Sequence, residues 1–290
     1  MAERLFTFVQ MEFAWELGPA DGRYLLRKAQ GMEENKPEHV VVLGTVGAER
    51  RGMLPKRTRT KRTDAQPAAV PVARATVVDP VPLSTNGQGK TWLSELDPEQ
   101  EATRATGALN RMLFAHRIAT ATSHVHEVSP AQALIVRAGY GEGEQVADGL
   151  WRDARELILS HTRSGRRATV LRPQERLAVL LGGRGKALLC EELTLRSRQD
   201  LDSGRFALAA IELERAYVAA LVELPAEGRV DLSERIAELK ALSEGVERAA
   251  QAATRAGDGT EGIDEPVVRR GLERLEAALR ARTAVGFSVQ

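Results

Sequence analysis

The chain has 290 residues, of which 43% are hydrophobic and 28% are charged. These proportions are typical of a globular protein with a buried core, and they exclude a wholly disordered chain and a chain made of membrane spans. There are 41 Lys and Arg residues against 40 Asp and Glu, so the net charge of +1 favours no class of partner. The single cysteine, Cys190, excludes an intramolecular disulfide. Together with an N-terminus that lacks the apolar run of a signal peptide, it predicts a cytoplasmic protein.

The first 51 residues predict a small antiparallel β-sheet of three or four strands. Hydrophobic residues alternate with polar ones from Val9 to Leu17, which is the period of a half-buried strand. Turn residues at 18–22 precede a second predicted strand at Tyr24–Arg27, and the valine-rich segment His39–Val46 predicts a third. Because three strands alone are marginally stable, we expect this sheet to pack against another part of the chain.

Residues 52–96 predict a basic and proline-rich linker. Within it, Ala75–Val78 would form one edge strand, since proline is confined to sheet edges and strand ends.

A cluster of cations without any acidic residue lies between Arg50 and Thr63. Its seven members, the predicted anion-binding residues, are Arg50, Arg51, Lys56, Arg57, Arg59, Lys61 and Arg62. Such a segment attracts phosphate polyanions, and because no aromatic residue is interleaved, contact with nucleic acid would be independent of base sequence. The alternative is a tether that pairs with the acidic remainder of the same chain.

Residues 97–290 predict a helical domain of about eight helices, so we expect an α+β protein. The clearest helix start has Asp97 as its N-cap and Pro98 at the first helical position. A capping box of Asp231 and Glu234 predicts the start of a late, long helix. The other helices are predicted at 129–139, 146–158, 173–181, 185–201, 205–224 and 266–282.

The helix pair Leu193–Leu221 resembles a tetratricopeptide-type repeat in its second half. The small and aromatic positions that carry the resemblance are Gly204, Phe206, Ala209, Ala210, Leu213 and Ala216. The resemblance implies packing of two antiparallel helices and a protein-binding surface. No second copy follows at that motif's period, so a generic helical hairpin is the preferred interpretation.

Polar residues able to bind a ligand concentrate between residues 116 and 151. This candidate ligand pocket consists of His116, His124, His126, Tyr140, Glu142, Glu144 and Asp148. Histidines and carboxylates also bind metals, but their spacing matches no metal motif, so neither a metal site nor a cofactor is predicted. The glycines around Tyr140 would let a ligand approach the backbone, or they would simply end one helix before the next.

The segment Ser84–Thr91 differs from the phosphate-loop motif at Ser84, where the first glycine belongs. Pro80 and Pro82 precede it and Pro98 follows it, which leaves no room for the strand and long helix of that motif. A polar turn is the preferred interpretation.

The sequence therefore predicts a non-catalytic interaction or scaffold protein without membrane insertion. Its helical domain would bind a protein partner or itself, and its basic linker would engage an anionic surface such as nucleic acid. The alternative is an enzyme or small-ligand-binding protein with a site between sheet and helices near residues 116–151.

Overall fold

The computed structural model describes residues 4–27, 37–47, 70–159, 173–256 and 262–284. Within these ranges the chain forms one six-stranded antiparallel sheet and seven α-helices, which confirms the α+β class. The chain divides into two compact units, Met1–Ser160 and His161–Gln290. The sheet and two helices lie in the first unit, and the other five helices lie in the second.

The sheet has the strand order β2-β3-β4-β1-β5-β6, and every neighbouring pair is antiparallel. Its strands are β1 (Leu5–Phe13), β2 (Gly22–Leu26), β3 (His39–Val46), β4 (Val72–Val78), β5 (Ile135–Glu142) and β6 (Asp153–Glu156). A strand is present where the alternation predicted one, and Val9, Met11 and Phe13 are buried in one core cluster. The strand is not half-buried as predicted, because Phe8 and Gln10 on its other face are buried too. It also ends at Phe13, four residues before the predicted end at Leu17.

Two helices, α1 (Asn86–Glu95) and α2 (Pro98–Thr120), pack against the sheet through that core cluster. The predicted start of α2 is confirmed, because the Asp97 carboxylate accepts hydrogen bonds from the amides of Glu99 (2.9 Å) and Gln100 (3.1 Å). These helices supply the apolar layer that the small sheet needs.

The opposite face of the sheet is covered by a 3₁₀ segment, Gly143–Asp148, and by Trp151. Phe8 packs on Trp151 with ring centroids 5.6 Å apart, and Val146 is buried beside them. This second, smaller cluster and the first cluster together bury β1 on both faces of the sheet.

Two segments predicted to be helices are strands instead, and these two predictions were wrong. Residues 135–142 form β5 and residues 153–156 form β6. Gly139 was predicted to end a helix, but it lies inside β5. It is so close to Phe8 and β6 that a Cβ there would lie 2.5 Å from the Asp153 carbonyl oxygen. The glycines in this segment serve close packing between neighbours in the sheet.

The region predicted to be a linker contains regular structure from residue 70 onward, including β4 and α1. Strand β4 lies between β3 and β1, so the prediction of an edge strand was wrong. Val46 of β3 pairs with Val72 of β4, so the residues between them connect two neighbouring strands of one sheet. All seven residues of the predicted anion-binding cluster fall in that connection, outside the described residues.

The second unit contains α3 (Pro173–Leu181), α4 (Leu189–Asp202), α5 (Phe206–Ala226), α6 (Ser233–Ala256) and α7 (Glu265–Ala284). The predicted hairpin of α4 and α5 is present, and their apolar faces form a core with α6 and α7. Helix α6 begins two residues after Asp231, whose carboxylate accepts hydrogen bonds from the Arg229 guanidinium instead of forming the predicted cap. The Tyr217 hydroxyl donates a hydrogen bond to the Gly271 carbonyl (2.9 Å) and joins α5 to α7.

Candidate functional site

The residues of the candidate ligand pocket belong to several elements of the first unit. His116 is half-buried on α2, and His124 and His126 are exposed in the segment that follows it. Tyr140 is buried among the core residues of the sheet, whereas Asp148 is exposed at the end of the 3₁₀ segment.

The two glutamates of that set are engaged in ion pairs. Glu142 accepts a hydrogen bond from Arg152, and Glu144 accepts one from Arg23, each at 2.5 Å. In the part of the chain that the structure describes, no three His, Cys, Asp or Glu residues are grouped so that they could hold a metal ion.

The phosphate-loop-like segment is the beginning of α1 rather than a polar turn. Thr85 caps the helix by accepting a hydrogen bond from the Gln88 amide (3.1 Å), and the Gln88 side chain accepts one from the Ser84 amide (2.8 Å). The strands on either side of β4 are both antiparallel to it, unlike the sheet to which a phosphate loop belongs.

A concave, mainly apolar surface lies in the second unit, between α3, α4 and α7. We call it the leucine groove. It has a volume of about 470 Å³. Its apolar lining residues are Pro173, Leu177, Leu180, Leu195 and Leu279.

Leucine side chains around the leucine groove are unusually exposed. Leu177 is 49% exposed and Leu195 is 66% exposed, and none of the nine residues of α3 is buried. Single exposed leucines are common on protein surfaces, but two beside one apolar concavity make it a candidate interaction site.

Arginine and glutamate side chains, paired with one another, border the leucine groove. Arg176 of α3 pairs with Glu191 of α4 and donates a hydrogen bond to the Thr283 hydroxyl (3.0 Å). On α7, Glu276 accepts a hydrogen bond from Arg198 (2.8 Å) and lies 3.5 Å from the Arg280 guanidinium. The rim therefore carries fixed positive and negative charges rather than a field of one sign.

Cys190 is buried in the core of the helical unit and is not part of the groove lining. Burial raises the pKa of its thiol, so the protonated and unreactive form is favoured. The neighbouring Glu223 carboxylate accepts hydrogen bonds from the amides of Leu189 (2.9 Å) and Cys190 (3.0 Å). Burial opposes ionisation of Glu223, but these hydrogen bonds outweigh it and lower the pKa of the carboxyl.

Sequence reasoning identified α3 and α4 as helices but did not identify the groove between them. The available signal was the composition of α3, which has five apolar residues among nine and is followed by Gly182. That signal does not reveal which of these residues stay exposed, because exposure depends on the approach of α4 and α7.

Comparison of the chain with protein-family models, with curated proteins and with solved structures found no match. Among the described residues, no helix combines the length and the apolar character needed to span a bilayer.

Proposed function

We propose that this chain is a non-catalytic interaction protein whose helical unit binds an amphipathic helix of a partner protein in the leucine groove. The observation that carries the proposal is the exposure of Leu177 and Leu195 around a concave surface of about 470 Å³. A partner helix would place its apolar residues between α3, α4 and α7 and cover these leucines.

The charges on the rim support a protein partner over a polyanion. A nucleic acid or an anionic membrane needs a surface of one sign, whereas Arg176 and Glu191 on one side and Arg280 and Glu276 on the other present both signs. The polar edges of an amphipathic helix carry both signs as well.

The groove proposal is tested with a photoreactive phenylalanine analogue placed at Leu195 of the full chain in cells that produce it. The matched control carries the analogue at Glu244, an exposed residue of the same unit that does not line the groove. We expect a covalent adduct with another protein from position 195 only, and its loss when Leu177→Glu is added.

Adducts of equal yield from both positions would contradict the proposal. An adduct with twice the mass of the chain would show that a second copy of this protein, and not a different partner, binds in the groove.

The second part of the proposal concerns the seven basic residues between Arg50 and Arg62, which we propose engage an anionic surface such as nucleic acid. Their connection starts and ends at adjacent strands, since Val46 pairs with Val72. Binding of a labelled duplex and a labelled single strand is measured by fluorescence anisotropy at about 50 and 200 mM salt. We expect steeply salt-dependent binding that is lost when all seven residues are changed to Gln. Absence of binding at low salt would favour the tether.

A further inference from the structure

Helix α5 is apolar on two opposite sides. One side is buried in the core of the helical unit, where Leu213, Tyr217 and Leu224 are at most 2% exposed. Only four of the 21 residues of α5 are charged. A helix at a protein surface normally turns a polar side toward the solvent, whereas a helix that is apolar all round is normally buried. The solvent side of α5 therefore has the composition of a covered surface.

A stripe of mainly apolar residues runs along the solvent side of α5, and we call it the α5 stripe. Its members are Leu208, Ile211, Arg215, Val218 and Val222, spaced alternately three and four residues apart. At 3.6 residues per turn they lie within about 80° of one another and opposite the buried side. Ile211 is half-buried, but Val218 is 59% exposed and Val222 is 70% exposed. This spacing is that of helices that pack side by side.

Two residues of opposite charge lie in the middle of the α5 stripe. Arg215 belongs to the stripe, and Glu214 precedes it at the edge. Adjacent residues of a helix do not face each other, so these two side chains cannot pair with one another. Among the described residues neither side chain has an ion-pair partner, whereas the exposed Arg196 and Arg248 of the same unit are both paired. The stripe thus carries a charge and its complement, both unpaired there.

A surface that carries its own complement suits contact between two copies related by a two-fold axis. In an antiparallel pair of α5 helices the same edge of each helix would meet, and Glu214 of one copy would face Glu214 of the other. In a parallel pair opposite edges meet, so Arg215 of each copy reaches Glu214 of the other. A single charged residue in such a stripe lowers the affinity but fixes the register of the two helices.

We propose that the α5 stripe binds the α5 stripe of a second copy of this chain in a parallel pair. The apolar residues of the two stripes cover one another, and the ion pair between Arg215 and Glu214 forms twice. The contact is one helix face per copy, so the dimer exchanges with the monomer. No residue of α5 lines the leucine groove, so this proposal and the proposed function can fail independently.

The proposal is tested by sedimentation equilibrium of the purified full chain over a range of concentrations. We expect wild type to form dimers and Val218→Glu to raise the dissociation constant about tenfold, because it places a carboxylate in an apolar contact. Val230→Glu is the matched control, since Val230 is 86% exposed in the same unit but lies outside the stripe. Val230→Glu and the groove variant Leu177→Glu should leave the dissociation constant unchanged.

Exchange of charge tests the orientation of the pair. Arg215→Glu and Glu214→Arg each bring like charges together, so each variant alone should associate about tenfold more weakly than wild type. An equimolar mixture of the two restores both ion pairs between unlike copies. We expect its average mass to exceed that of either variant alone at the same total concentration. Recovery by mixing also shows that both variants are folded.

Three results would overturn the proposal. A wild-type chain that stays monomeric at every concentration would leave a different protein as the occupant of the stripe. Loss of the dimer in Leu177→Glu would place the contact between copies in the leucine groove. A mixture of the two charge variants that associates no better than its components would exclude the parallel pair.

Discussion

At the scale of single residues, Gly89 occupies a position that has no space for a side chain. It lies in α1 directly over the ring of Tyr140, and a Cβ there would be 2.6 to 2.8 Å from three ring carbons. Tyr140 is buried among core residues, so its ring cannot move aside without disturbing the sheet.

We therefore predict that Gly89→Ala lowers the free energy of unfolding by about 1–3 kcal/mol, because it overpacks the core. Gly87→Ala is the control in the same helix, since its nearest atom would be 3.7 Å away, and we expect a small gain from helix propensity. Urea denaturation followed by circular dichroism measures both. Equal effects of the two substitutions would contradict the packing argument.

His39, at the start of β3, is a second residue whose surroundings determine its behaviour. Its Nδ1 atom is buried and has no hydrogen-bond partner among the described residues. Burial lowers the pKa of His39 below its ordinary value of 6.5, and the charge of Arg104 lowers it further. Glu38 and Asp79 oppose this shift, whereas Arg111 adds to it.

A lowered pKa means that the folded state binds a proton less readily than the unfolded state. The stability contributed by neutral His39 is therefore complete above about pH 6.5 and is lost as the pH falls from there toward the lowered pKa. We expect His39→Gln to flatten the dependence of the unfolding free energy on pH between about 7.5 and 5. Parallel pH profiles for wild type and variant would exclude His39 as the cause.

At the scale of elements, one buried arginine joins three parts of the helical unit. Arg282 of α7 is 9% exposed and donates hydrogen bonds to Glu227, after α5, at 2.5 Å and to Glu191 of α4 at 3.0 Å. Arg176 of α3 shares Glu191, so the same network reaches the rim of the leucine groove.

We predict that Arg282→Ala lowers the unfolding free energy by about 3 kcal/mol, since it removes a buried cation that donates hydrogen bonds to the partly buried carboxylates of Glu227 and Glu191. Arg248→Ala is the control. It removes an exposed pair with Glu244 on α6, and we expect a loss below about 0.5 kcal/mol. Guanidinium chloride would screen the ion pairs, so urea is used for both. A similar loss of unfolding free energy for both variants would show that burial of the network does not determine its contribution to stability.

At the scale of the whole molecule, each unit has hydrophobic cores of its own. The clusters around Tyr140 and Phe8 draw only on residues before 160, and the cluster around Leu213 draws only on residues after it. A unit with a complete core of this kind folds without the remainder of the chain.

We expect the fragments 1–160 and 161–290 to fold separately, with circular dichroism spectra that sum to that of the full chain. A fragment ending at residue 96, the predicted end of the linker, contains β1–β4 but lacks α2 and β5. It should remain unfolded, because α2 supplies Ala105 and Leu109 to the core of the sheet. A cooperative thermal transition of fragment 1–96 would contradict this account.

Local sequence patterns were sufficient where the signal is contained in one element. The strand β1, the valine-rich strand β3, the cap at Asp97 and the α4–α5 hairpin could all be predicted, because each signal lies within a few neighbouring residues. The candidate site could not be predicted, since the exposure of Leu177 and Leu195 results from how three helices approach one another.

The sequence by itself determined the α+β class, most of the helices and the position of the basic cluster along the chain. Only the tertiary structure decided that residues 135–142 form a strand, because alanine and glycine have little strand propensity and β5 depends on pairing with β1 and β6. It also decided that β4 lies inside the sheet, so that residues 48–69 connect neighbouring strands. Both features depend on hydrogen bonds between segments that are distant in the sequence, and no local sequence pattern encodes such pairing.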